Sequence, residues 1–102
     1  MNDSEAETLR RFQAGESIDQ IARRRGFVGR TIQDHLVKAI EAGAPLAMEQ
    51  FFTSAQAEEL GGAVSHIGPR GLTGLGEELG GKYEIAELRL FRALAARERR
   101  SA

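Results

Sequence analysis

The most informative part of the sequence is residues 17–40, which read SIDQIARRRGFVGRTIQDHLVKAI. Ala22 stands where two helices must approach closely, Gly26 follows where a turn needs a positive φ, and Ile32 follows as an aliphatic plug. A small residue, a turn glycine and an aliphatic plug at this spacing predict two helices joined by a tight turn, the helix-turn-helix arrangement. Three further apolar residues are expected to fill the adjacent core positions: Ile21, Phe27 and Leu36.

Two capping boxes predict where the first helices begin. Ser4 is followed three residues later by Glu7, and Ser17 is followed three residues later by Gln20. In such a box the first side chain accepts from the backbone N–H of the third helical residue, and the later side chain accepts in return. We therefore predict a first helix over residues 4–14 and a second helix that starts directly after Ser17.

The third helix is predicted over residues 29–42. Aliphatic residues at helical spacing give it one buried face: Ile32, Leu36, Ala39 and Ile40. Val28 occupies the capping position before this helix. A residue with a side-chain oxygen at this position would accept a hydrogen bond from a free backbone N–H, and valine has none. We therefore expect the helix to begin without a side-chain cap, and its polar face to point to solvent.

The second half of the chain is predicted to be helical, with a weak middle. Four helices are expected there: residues 46–52, 53–66, 72–79 and 84–98. Thr53 or Ser54 is expected to cap the second of them, and residues 68–71 are expected to form a turn. The last helix has an apolar stripe: Ile85, Leu88, Phe91, Leu94 and Ala95. Eight of the twelve glycines fall within residues 61–81, so this segment is predicted to be the least rigid.

Length and composition limit the fold. The chain has 102 residues, enough for one domain. The fold class we predict is all-α with five to six helices in a single helical domain over 1–102. Within it, residues 1–45 form a helix-turn-helix subunit of three helices, and residues 46–102 form a helical extension that packs with it.

Several classes of site are excluded or disfavoured. There is no cysteine, which excludes disulfides and thiolate ligands. His35 lies at the edge of a buried face and His66 at a helix end, so we predict no metal site and no cofactor. Adjacent glutamates, as at 58–59 and 77–78, point about 100° apart on a helix and do not share a substrate. We therefore predict no enzyme activity.

The location of the protein is predicted from two absences in the sequence. No run approaches the roughly 18 apolar residues of a membrane span. The N-terminus MNDSE is acidic and lacks the basic start of a secretory signal. We expect a cytoplasmic protein that does not bind membranes and that, in a bacterium, associates with the nucleoid.

Charge is segregated along the chain, although the net charge is only −1. Residues 17–40 carry five bases and two acids, residues 41–81 carry one base and six acids, and residues 82–102 carry six bases and three acids. Two basic segments therefore flank an acidic one, and such local fields matter more for nucleic-acid binding than the total charge.

The candidate nucleic-acid contacts lie on the second and third predicted helices. Arginine suits guanine or phosphate, glutamine suits adenine, and lysine suits phosphate. The candidates are Arg23, Arg24, Arg25, Arg30, Thr31, Gln33 and Lys38. Arg89 and Arg92 on the last helix form a possible secondary basic face. Asp34 and Glu41 oppose phosphate binding, so a scaffold helix-turn-helix that docks to protein stays open as an alternative.

The spacing SIxxIAxxxGFxxxTIxxHL over residues 17–36 resembles the helix-turn-helix domain at the C-terminus of many RecQ-type DNA helicases. It resembles the DNA-binding module of LuxR-type regulators more loosely. GAPL at 43–46 and EIxELRL at 84–90 are similar to the closing part of the helicase-associated family, for which a LuxR module has no counterpart. The chain departs from that family at Val28-Gly29, where a serine is usual, and at Ala86, where a tyrosine is frequent.

The resemblance implies a non-catalytic accessory module of a RecQ-like helicase that takes part in DNA repair. The chain contains no phosphate-binding loop of the form GxxxxGK followed by serine or threonine. It would therefore be an excised C-terminal domain or a small stand-alone relative. Its partners would be DNA, bound with modest sequence specificity, and the helicase body or another protein. A small transcriptional regulator that dimerises on paired half-sites is the remaining alternative.

Overall fold

The computed structural model describes residues 2–67 and 71–101, and every regular element in those two ranges is helical. The prediction of an all-α fold is confirmed. Six α-helices are described: α1 (Asp3–Gln13), α2 (Ile18–Arg25), α3 (Gly29–Glu41), α4 (Ser54–Ile67), α5 (Gly71–Glu78) and α6 (Ile85–Ser101). Most of the predicted turn at Gly68-Pro69-Arg70 lies outside the described residues. The chain divides into two compact units, Met1–Pro45 and Leu46–Ala102.

The first unit begins at a capping box that differs from the predicted one. Asn2 caps α1, and its side chain accepts from the N–H of Glu5 while the Glu5 carboxylate accepts from the N–H of Asn2. The prediction that Ser4 and Glu7 form this box was wrong, because an equivalent acceptor and glutamate stand two residues earlier. Glu7 instead forms ion pairs with arginines of the same helix.

The rest of the first unit follows the predicted pattern. Ser17 and Gln20 form the expected capping box of α2, with hydrogen bonds of 2.9 and 3.1 Å. The core contains six of the aliphatic residues expected from the second and third helices: Ile21, Ala22, Ile32, Leu36, Ala39 and Ile40. Phe27, which we expected in this core, is 38 % exposed, because it lies in the turn and packs its ring against polar side chains there.

The second unit opens with a turn where a short helix was predicted. Residues 46–52 contain only one 3₁₀ turn, Met48–Gln50, and Leu46 and Phe52 on either side of it are buried. Thr53 rather than Ser54 caps α4, because its hydroxyl accepts from the N–H of Gln56 at 3.1 Å. Phe52 packs edge-on against Phe91 of α6, with ring centroids 6.0 Å apart.

The apolar side of α6 differs in part from the predicted stripe. Leu88, Phe91 and Leu94 are buried as expected, whereas Ile85 is 43 % exposed. Ile85 lies outside the core because it shares its helix face with Arg89, four residues later. Three neighbours that the prediction left out are buried as well: Tyr83, Ala86 and Leu90. In the described residues, no helix has the length and hydrophobicity needed to cross a membrane.

Candidate nucleic-acid interface

The turn between α2 and α3 is closed by Gly26. Its φ of 72° lies in the left-handed region, where a side chain is costly. The N–H groups of Gly26 and Phe27 both donate to the carbonyl of Ala22. The positive φ expected from the spacing is confirmed, and it lets α3 begin at Gly29 after only three intervening residues.

The start of α3 has no side-chain cap, as predicted. Val28 occupies the capping position with extended backbone angles, and it is 68 % exposed. The N–H of Thr31 donates to the carbonyl of Val28 at 3.1 Å, which satisfies one of the first amides of the helix. The amide end of α3 therefore carries a partial positive charge without a side-chain acceptor close to it.

The outer face of α3 carries a row of alternating charge. Arg30, Asp34 and Lys38 are spaced by four residues and therefore lie above one another on the helix. Arg30 and Lys38 are exposed, while Thr31 and Gln33 are half-buried beside them. The row provides two cations and hydrogen-bonding groups to a groove, with a carboxylate between the cations.

The three consecutive arginines of α2 have three different environments. Arg23 is exposed to solvent. Arg24 forms an ion pair of 3.1 Å with Glu16. Arg25 is half-buried, and its guanidinium donates to the carbonyl oxygen of Ser4 at 2.8 Å. The sequence placed all three among the candidate nucleic-acid contacts, because the partners of Arg25 are about twenty positions away in the chain and leave no local signal.

Arg25 also takes part in a hydrogen-bond network that joins all three helices of the first unit. Its Nη1 donates to the hydroxyl of Thr8 at 2.5 Å, and that hydroxyl lies 2.8 Å from Nδ1 of His35. The guanidinium stacks 5.0 Å from the ring centroid of Phe27, whose ring meets His35 edge-on. The network fixes α3 relative to α1 and α2, and it engages the guanidinium of Arg25 in internal contacts.

Other arginines of the first unit are bound by carboxylates. Glu7 accepts from Arg10 and Arg11, and these hydrogen bonds hold the pKa of Glu7 below its usual value. The same contact with Glu7 raises the pKa of Arg10. Within residues 2–45, four arginine or lysine side chains form no ion pair: Arg23, Arg25, Arg30 and Lys38. Ser4 and Thr8 engage the guanidinium of Arg25, which leaves Arg23, Arg30 and Lys38. These three remain available to an external anion.

The second unit contains a polar cluster that sequence reasoning did not find. The hydroxyl of Tyr83 donates to Glu59 at 2.7 Å, and Lys82 donates to the same carboxylate at 3.0 Å. Burial and the hydrogen bond to Glu59 raise the pKa of Tyr83 to about 12. A contact between residues 24 positions apart has no local sequence signal. The cluster connects the segment before α6 to α4.

The two histidines differ in their surroundings. His35 is held by Thr8, as described above, whereas Nδ1 of His66 lies 2.9 Å from a carboxylate oxygen of Glu78. This pair links α4 to α5, and no spacing in the sequence indicated it. Over the described parts of the chain, no three histidine, aspartate or glutamate side chains are grouped to hold a metal ion.

The secondary basic face lies on α6 in the second unit. Arg89 and Arg92 are three residues apart and both are exposed, so they share one side of the helix. Arg97 faces elsewhere and donates to the carbonyl of Leu46 at 3.3 Å. The arginines of α6 therefore divide into an outer set and one that ties the helix to the start of the unit.

Three helices in this order, with a glycine turn before a third helix that exposes a charged row, define a helix-turn-helix protein, a class whose typical ligand is DNA. Comparison with known families agrees with this assignment. The chain matches the helix-turn-helix domain family over residues 4–92, and it belongs to that family. No curated protein and no solved structure matches it.

Proposed function

We propose that this protein binds duplex DNA through the outer face of α3 and has no catalytic role. The observation that carries the proposal is the set of unpaired cations on and beside α3. Among residues 2–45, Arg23, Arg30 and Lys38 have no carboxylate within ion-pair distance, whereas the other exposed arginines, Arg10 and Arg24, do. Cations held on the reading helix supply the phosphate contacts that dominate the affinity of such proteins.

The remaining predicted contacts have supporting rather than leading roles. Thr31 and Gln33 flank the row on α3 and are suited to base edges or sugar–phosphate oxygens. Arg24 can exchange Glu16 for a phosphate, since the Arg24 side of their ion pair is exposed. Arg25 acts as a positioning residue, because its bonds to Ser4 and Thr8 set the angle between the helices.

We also propose that this module serves a RecQ-like helicase as an accessory DNA-binding domain. The support is the resemblance of residues 17–36 and of the closing segment 84–90 to that helicase-associated family. Few phosphate contacts per domain predict weak, salt-sensitive binding and modest sequence specificity. Such binding suits a module that adds affinity to a larger enzyme.

The test is a fluorescence-anisotropy titration of labelled duplex, single-stranded and forked DNA at two salt concentrations. The variant is Arg30→Ala/Lys38→Ala, and the matched control is Arg10→Ala/Lys82→Ala, which removes the same charge from ion pairs elsewhere. We expect salt-sensitive duplex binding that the variant loses and the control keeps. Absence of binding to all three substrates at low salt would overturn the proposal.

A protein-docking function is the second candidate, and two observations favour it. Asp34 lies between the two cations of α3, where it repels phosphate. Phe27 and Val28 are exposed apolar residues directly before the helix. Docking predicts a protein complex that persists when Arg30 and Lys38 are replaced. A transcriptional regulator, in contrast, predicts a palindromic target and a concentration-dependent dimer.

A further inference from the structure

The exposed side of α6 carries four arginines and no acidic residue. With about 3.6 residues per turn, their positions fall within roughly 100° of arc around the helix. We call them the arginine stripe: Arg89, Arg92, Arg99 and Arg100. The two glutamates of α6, Glu87 and Glu98, lie on the other side. The stripe therefore presents one sign of charge to solvent.

Burial confirms that the stripe is the outer side of the helix. Leu88, Phe91 and Leu94 are at most 4 % exposed and form the inner side within the second unit. All four arginines of the stripe are exposed to solvent. The packing of α6 within the second unit alone therefore determines that the stripe faces solvent in that unit.

The stripe consists of two pairs separated by a gap. The midpoint of Arg89 and Arg92 is nine residues from that of Arg99 and Arg100, which is about 13.5 Å at a rise of about 1.5 Å per residue. Between the pairs, the same side of the helix carries Ala96. A small side chain there lets the helix backbone come close to a surface that both pairs contact.

This spacing is close to the width of a DNA groove. The major groove of B-DNA is about 12 Å wide, and the phosphates of the two strands form its edges. Arginine binds phosphate through a planar fork of N–H donors, often with two parallel bonds. We propose that α6 lies across a groove of duplex DNA, with each arginine pair of the stripe on the phosphates of one strand.

This inference rests on the proposed binding to duplex DNA and adds a second, sequence-independent contact from the other unit. A membrane surface fits the stripe less well, because a helix that lies in a lipid interface inserts large apolar residues. Ile85 is the one large apolar residue on this side of α6, and Phe91 is buried. Binding to an acidic protein would not require two arginine pairs separated by the width of a DNA groove.

The test measures how the affinity for duplex DNA depends on salt. Arg92→Ala and Arg99→Ala each remove one member of a different pair, and Arg10→Ala is the matched control. We expect each stripe variant to reduce the slope of log K against log salt by about 0.9, and the double variant by about 1.8.

Two controls make the outcome specific. Circular dichroism should show the same helix content for all variants, because the substituted residues are exposed. If Arg92→Ala and Arg99→Ala keep the slope of the Arg10→Ala control, the inference is overturned. If Arg30→Ala/Lys38→Ala also loses binding in that case, the proposed function of α3 stands alone. Failure of the unmodified protein to bind duplex DNA would overturn both.

Discussion

The hydroxyl oxygen of Thr8 lies 2.8 Å from Nδ1 of His35 and is fully buried, although 27 residues separate the two in the chain. Arginine only donates, so this hydroxyl accepts from Arg25. In the tautomer of His35 that carries its proton on Nε2, Nδ1 is an acceptor, and the same hydroxyl donates to it. One side chain of α1 thus connects both helices of the helix-turn-helix.

Replacing Thr8 with valine should destabilise the first unit. Thr8→Val keeps the shape but removes the hydroxyl, so His35 and Arg25 each lose a hydrogen-bond partner inside the protein. We expect a loss of about 1–3 kcal/mol in the free energy of unfolding, measured by urea denaturation. Thr73→Val, at an exposed site on α5, is the control and should change stability little. Equal stability of the two variants would contradict the role of the network.

The same substitution at two glycines should have opposite effects. Gly26→Ala places a side chain at φ 72° and should cost about 1–2 kcal/mol. Gly62→Ala lies within α4, where a Cβ atom has no atom within 4 Å, and should stabilise the helix by up to about 1 kcal/mol. Thermal denaturation of both variants compares them directly. A Gly26→Ala protein as stable as the parent would mean that the turn does not need the left-handed conformation.

Stability should fall at high pH because of Tyr83. Its pKa is raised to about 12 in the folded protein, mainly by burial, whereas an unfolded tyrosine titrates near 10. The neutral hydroxyl therefore stabilises the fold fully below about pH 10, and this contribution is lost as the pH rises from about 10 to 12. Urea midpoints measured from pH 8 to 12 should decline less for Tyr83→Phe. Parallel curves for the two proteins would contradict the assignment.

Removing the carboxylate of Asp34 should strengthen DNA binding. Asp34 lies between Arg30 and Lys38 on the proposed reading face, where its charge repels phosphate. We expect Asp34→Asn to tighten duplex binding several-fold at low salt, with a smaller effect at high salt because screening shortens the range of repulsion. Glu58→Gln, on the exposed side of α4, is the control. Weaker binding by Asp34→Asn would show that the carboxylate makes a favourable contact.

The sequence predicts well those features that depend on local spacing. Ala22, Gly26 and Ile32 determine the turn and its core, because each occupies a position where few residue types fit. The box at Ser17 and Gln20 is equally local. The start of α1 was mispredicted because two overlapping boxes compete, and only the structure shows that Asn2 is used.

Features that depend on distant contacts were not predictable in this way. Arg25 reads as part of a basic run, yet its guanidinium is engaged by Ser4 and Thr8 of α1. The bond between Glu59 and Tyr83 likewise joins segments that the sequence does not bring together. The charge of a candidate site can therefore be counted from the sequence, whereas which charges remain available depends on the packing.

The most direct test of the central claim is a chemical-shift titration of the ¹⁵N-labelled protein with a short DNA duplex. If the outer face of α3 binds DNA, the largest changes should fall on the backbone amides of residues 28–38 and on the side chain of Arg30. The changes should diminish as salt is added, since the contacts are electrostatic. Shifts confined to residues 54–78, or no shifts at low salt, would contradict the account.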